Sequence, residues 1–115
     1  MKKTLFLSLF LFSAVLSFSQ TEAKKGRIEV TFHRKLQFND LVKIKLDMAE
    51  KGISLNYDRL AFDENGGLSQ IAFRVDCNDG FKGTAHSHQI FNQSKTGFYR
   101  DYDDAASSPF GTQAD

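Results

Sequence analysis

This 115-residue chain has no tryptophan, a single cysteine, a single proline and almost no excess charge of either sign. Cys77 is the only cysteine, so no disulfide can close within the chain and the fold must rest on packing. The formal charge is +1, which gives no electrostatic support for binding nucleic acid or an acidic lipid surface. No apolar run reaches the roughly 20 residues that span a bilayer. Several catalytic signatures are missing too. There is no G-x-S-x-G nucleophile elbow and no Gly-Lys-Ser/Thr phosphate cradle. "DCNDG" (Asp76–Gly80) fails as a calcium loop, because its glycine comes at the fifth position and no glutamate closes it.

What is present begins with "MKKTLFLSLFLFSAVLSFSQ". Lys2 and Lys3 precede a short apolar stretch from Leu5 to about Leu16, and Ser17 and Ser19 occupy the small-residue positions of a cleavage site. This predicts a signal peptide over 1–19 with cleavage after Ser19, a periplasmic or secreted location, and no stable membrane anchor after cleavage. Loss of the two lysines takes the formal charge from +1 to −1. Residues 20–26 read as a linker, 27–101 as one domain and 102–115 as a flexible tail. That tail, "YDDAASSPFGTQAD", is small, polar and acidic, without periodicity.

Hydrophobic periodicity orders the domain. "RIEVTFH" alternates, with Ile28, Val30 and Phe32 on one face, as in a half-buried strand. "QFNDLVKIKLDMAEKG" changes to a helical period. Leu41, Ile44 and Met48 form its stripe, widened by Phe38, Val42 and Ala49. Gln37 or Asn39 caps the start, Asp40 suits the first turn, and Gly52 ends the helix. "ISLNYDRLAF" returns to period two, but its phase slips near Asp58 and Arg59, which predicts a β-bulge. "DENGG" and "NDG" are turns. Between them Ile71, Phe73, Val75 and Cys77 face the core, and Cys77 reads as a small core hydrophobe. "FKGTAHSH" is an edge strand with Lys82, Thr84, His86 and His88 outward. The expectation is an α+β fold, β-α-β-β-β, with one helix packed on one face of a small, mainly antiparallel sheet that is wet on the other.

The segment Asp40–Gly83, "DLVKIKLDMAEKGISLNYDRLAFDENGGLSQIAFRVDCNDGFKG", resembles a small domain of exported proteins from Gram-negative bacteria. It shares the lysine-rich helix ending in "EKGI", then a strand, a glycine turn and an alternating second strand. Such domains resemble the segments appended to membrane metallopeptidases of the antirepressor, β-lactam-sensor type and also occur as stand-alone secreted proteins. The resemblance implies an extracytoplasmic βαββ module. It implies no enzymatic activity, because the peptidase's His-Glu-x-x-His motif is absent from this chain.

Two classes of function follow. The first is an exported, non-catalytic interaction or accessory domain without a cofactor. It would meet a cell-envelope protein or a second copy of itself through Lys82 and Thr84 on the edge strand, or through the aromatic cluster Phe98, Tyr99 and Tyr102. The second is a small metal- or ligand-binding protein that uses His33, His86 and His88. These three share the wet face, and they converge only if the first and fourth strands are neighbours.

Overall fold

The computed structural model describes residues 26–115, and the predicted signal peptide lies outside the described residues. Seven elements follow in order: β1 (Arg27–Thr31), α1 (Phe38–Glu50), β2 (Ser54–Phe62), β3 (Leu68–Asp76), β4 (Lys82–Ser87), β5 (Gly97–Asp101) and β6 (Phe110–Gln113). Among the described residues the fold is α+β with one helix. The strands form two three-stranded antiparallel sheets where one sheet was expected, ordered β1-β5-β6 and β2-β3-β4.

Local chemistry sets the helix ends. The Asp40 carboxylate accepts the backbone N–H of Gln37 at 2.9 Å, which satisfies a donor before the first turn and places a negative charge at the positive end of the dipole. At the other end Gly52 adopts φ +84°, and the N–H groups of Gly52 and Ile53 donate to the carbonyls of Ala49 and Met48. Both bonds of a Schellman motif are therefore present, and the left-handed residue is the one with no Cβ to clash.

The β2–β3 hairpin slips register between Tyr57 and Arg59, so the bulge sits at Asp58 as the phase of the sequence predicts. The turn after β2 is tied by Asp63, whose carboxylate accepts the N–H of Asn65 and of Gly67, each at 2.9 Å. The Gly67 amide and then the Arg34 guanidinium hold that carboxyl below its ordinary range.

The core is a single cluster shared by helix and both sheets. Leu41 and Met48 of α1 pack with Leu55, Ile71, Phe73 and Val75, and Cys77 is buried among them. Phe73 is the junction. Its ring lies 5.1 Å from Phe32, which follows β1, and 5.9 Å from Phe98 of β5. Burial of these aromatics is the largest apolar term joining the sheets.

Residues 102–115, expected to be a flexible tail, instead carry β6, which pairs with β5 from Gly97↔Gln113 to Arg100↔Phe110. Four further contacts fix the segment. Asp115 accepts from the Lys95 amide at 3.0 Å and from the Thr96 hydroxyl at 2.9 Å, and Tyr99 and Ser108 share a hydrogen bond. Phe110 stacks at 5.9 Å on Phe81. One apolar anchor and a paired backbone order a stretch whose composition gives no local signal.

Candidate functional site

The outer face of sheet β2-β3-β4 is polar, as its alternation requires. The pairings Ser54↔Asp76↔Lys82 and Asn56↔Arg74↔Thr84 lay two polar rows across it. They line an open concavity of about 470 Å³. One charge there is already paired: Arg74 Nε donates to both carboxylate oxygens of Asp58, at 2.9 and 3.0 Å.

The two histidines of "HSH" stand at the far end of this face. Both are exposed, with ring centroids 5.3 Å apart. His33 is not with them. It follows β1 of the other sheet, and its Nδ1 accepts the Lys35 amide at 3.3 Å. Among the described residues no group of three or more His, Cys, Asp or Glu is placed to hold a metal ion, so the predicted three-histidine set His33, His86 and His88 does not assemble. Strand order is the cause: β1 pairs with β5, away from β4.

The edge of β4 is not open either. β6 runs beside it, and the Thr112 hydroxyl donates to the Thr84 carbonyl at 3.2 Å. A Cβ placed on Gly83 would meet the Thr112 methyl at 3.1 Å. The side chains of Lys82 and Thr84 are exposed, but the backbone edge expected to recruit a partner strand is flanked by the chain's own last strand.

The aromatic cluster splits in the same way. Phe98 is 3% exposed and belongs to the core, not to an interface. Tyr99 is half-buried under the Arg27 guanidinium, 4.1 Å from the ring centroid. Tyr102 packs on Arg100, whose guanidinium lies 4.4 Å from that ring and 4.5 Å from Phe81. Arg100 Nη2 donates to Asp79 at 2.8 Å, which clamps β5 to the β3–β4 turn. Burial, with the nearby Cys77 and Asp79, pushes the Tyr102 phenol above its ordinary range.

Among the described residues most of the exposed large apolar side chains are elsewhere. Phe38, Val42 and Leu46 of α1 are 57%, 40% and 61% exposed. Their spacing of four puts them on one flank of the helix, roughly a quarter turn from the buried Leu41 and Met48. Phe38 meets Phe62 of β2 edge to face at 6.2 Å, so the flank continues onto the end of that strand. Along the same seam Lys45 reaches across to Asn56 of β2, Nζ to Oδ1 3.4 Å, and a groove of about 320 Å³ opens beside it. Phe38 and Val42 read from sequence as part of the core stripe. Leu46 lies outside that stripe, and its four-residue spacing from Val42 is the sign in the sequence of a second apolar line. No family model, no curated protein and no solved structure matches this chain.

Proposed function

We propose that the chain is an exported, non-catalytic interaction domain that binds a protein of the cell envelope, or a second copy of itself, through the α1 flank of Phe38, Val42 and Leu46. One observation carries this reading: three large apolar side chains stand in line and exposed on a helix whose neighbouring stripe, Leu41 and Met48, is packed in the core. Exposed apolar side chains scattered singly need no explanation, but an aligned set that continues onto Phe62 is a patch of the kind that marks interaction sites. Arg74 of the sheet face is engaged by Asp58, and the one thiol lies in the core, so neither supplies a nucleophile beside a base. The resemblance of Asp40–Gly83 to extracytoplasmic modules and the Lys-Lys start of the chain support an envelope setting.

The test is a photocrosslinking probe at Asn39, beside the flank, in cells that carry either the wild-type flank or Leu46→Lys. Leu46 is exposed, so the substitution should shift the melting temperature by no more than a degree or two. A discrete adduct that Leu46→Lys removes supports the reading, whether it has the mass of a dimer or of a complex with another protein. No adduct, or one that Leu46→Lys leaves unchanged, sinks it.

A further inference from the structure

We infer that His86 and His88 form an open, two-imidazole site for a divalent transition-metal ion of the zinc and copper class. The geometry is quantitative. A metal–nitrogen bond of about 2.0–2.1 Å places a ring centroid about 3.2 Å from the ion. Two rings whose centroids are 5.3 Å apart then subtend about 112° at a shared ion, close to the tetrahedral angle of about 109°. The rings stand at 65° to each other and both side chains are exposed, so rotation about the Cβ–Cγ bonds can aim one nitrogen of each at a common point.

Three further features favour an ion over a merely solvated pair. Among the described residues the ring nitrogens of His86 and His88 take part in no hydrogen bond or ion pair, so no partner has to be displaced. The site is anchored at its His86 end, where β3 pairs through Ala72↔His86 and β6 runs along the other edge, and His88 follows one residue past the end of that strand, after the buried Ser87. The residue opposite His86 is Ala72, which is small enough to leave the remaining coordination positions open. Those positions are filled by water or by donors of an incoming molecule, as in sites that keep an open position. Imidazole suits zinc, copper and nickel, and for equal geometry copper(II) binds most tightly of the three. The inference is independent of the α1 flank, which lies on the other side of the sheet.

Calorimetric titration of the purified chain with zinc chloride and with copper(II) chloride tests it, in wild type, His86→Gln, His88→Gln and His33→Gln. Wild type and His33→Gln should bind one ion per chain with equal affinity, and either His86→Gln or His88→Gln should weaken binding at least tenfold. Circular dichroism of each variant should match wild type, since both side chains point into solvent. If the ion binds as tightly to the His86→Gln/His88→Gln double variant as to wild type, or if wild type binds none, the assignment is overturned. A loss in His33→Gln equal to that in the other two overturns it as well.

Discussion

Phe73→Ala is the severest single test of how the two sheets are joined. The ring is 1% exposed, lies on the central strand of its sheet, and touches Phe32 and Phe98 across the gap to the other sheet. Truncation removes the transfer free energy of the ring's surface and leaves a cavity that two flanking sheets cannot easily collapse, for a cost of about 3–5 kcal/mol. A domain of this size has a total stability of roughly 5–14 kcal/mol. Each kcal/mol moves the melting temperature by about 4–8 °C at this length, so a fall on the order of 15–30 °C is expected. Thermal melts followed by far-ultraviolet circular dichroism, with urea titrations beside them, measure it. The urea slope should stay constant if the unfolded state is unchanged. Phe73→Leu should cost less than half as much. Combining Phe73→Leu with Phe98→Leu should depart from additivity, because the rings are in contact. A Phe73→Ala variant that melts within two degrees of wild type would refute the placement of Phe73 at the junction.

Three other outcomes are expected. Gly97→Ala should destabilise the β1–β5 pair by about 1–3 kcal/mol, because a Cβ there would sit 2.0 Å from the Val30 carbonyl oxygen; hydrogen exchange should speed up in β1 before it does in β3. Asp79→Asn leaves the Arg100 guanidinium, 11% exposed, without its counter-charge; urea midpoints should show a loss of about 2–3 kcal/mol, below the fully buried case because the Asp79 side chain is 32% exposed. Burial raises the Tyr57 phenol above its ordinary value of 10.0. Its contribution is therefore complete below that pH and is lost as pH rises beyond it, when the unfolded chain ionises first. Phenolate absorbance should show part of the tyrosine signal rising only with unfolding, and Tyr57→Phe should reduce that part and flatten stability across the alkaline range while losing the hydrogen bond to the Leu41 carbonyl.

What the sequence shows well is whatever neighbouring residues decide among themselves. The helix from Phe38 to Glu50, its glycine stop, the bulge at Asp58, both turns and the inward Cys77 all follow from period, phase and turn chemistry over a few residues. β5 and β6 are different. In β5 an arginine takes an inward position, which breaks the apolar alternation, and that residue is tolerated there only because Asp79, Phe81 and Tyr102 enclose it. β6, "FGTQ", has a single large apolar side chain and owes its form to β5. The site follows the same division. That His86 and His88 share a face is read from their spacing, but the distance of His33 depends on strand order, which periodicity does not encode. The exposed line on α1 was hidden for a related reason: a helix with apolar residues over a broad arc does not reveal which part of that arc a sheet will cover.

The two sheets also differ in how far apart along the chain their strands lie, and this has a consequence for the order in which the molecule assembles. β2, β3 and β4 are successive hairpins, and the helix before them packs on β2, so this half can form from short loop closures. β1 must instead find β5, pairing residue 27 with residue 101 and residue 31 with residue 97. Closures over such separations are entropically costly and slow, whereas nearby hairpins form early. The helix with β2–β4 is thus expected to act as the nucleus, with β1, β5 and β6 added late. Until they arrive, Phe73 and Phe81 are uncovered and the outer edge of β4 is unpaired, a combination that favours strand-to-strand association between chains. The lifetime of that half-built state, more than the stability of the finished one, then sets how much of the protein escapes aggregation.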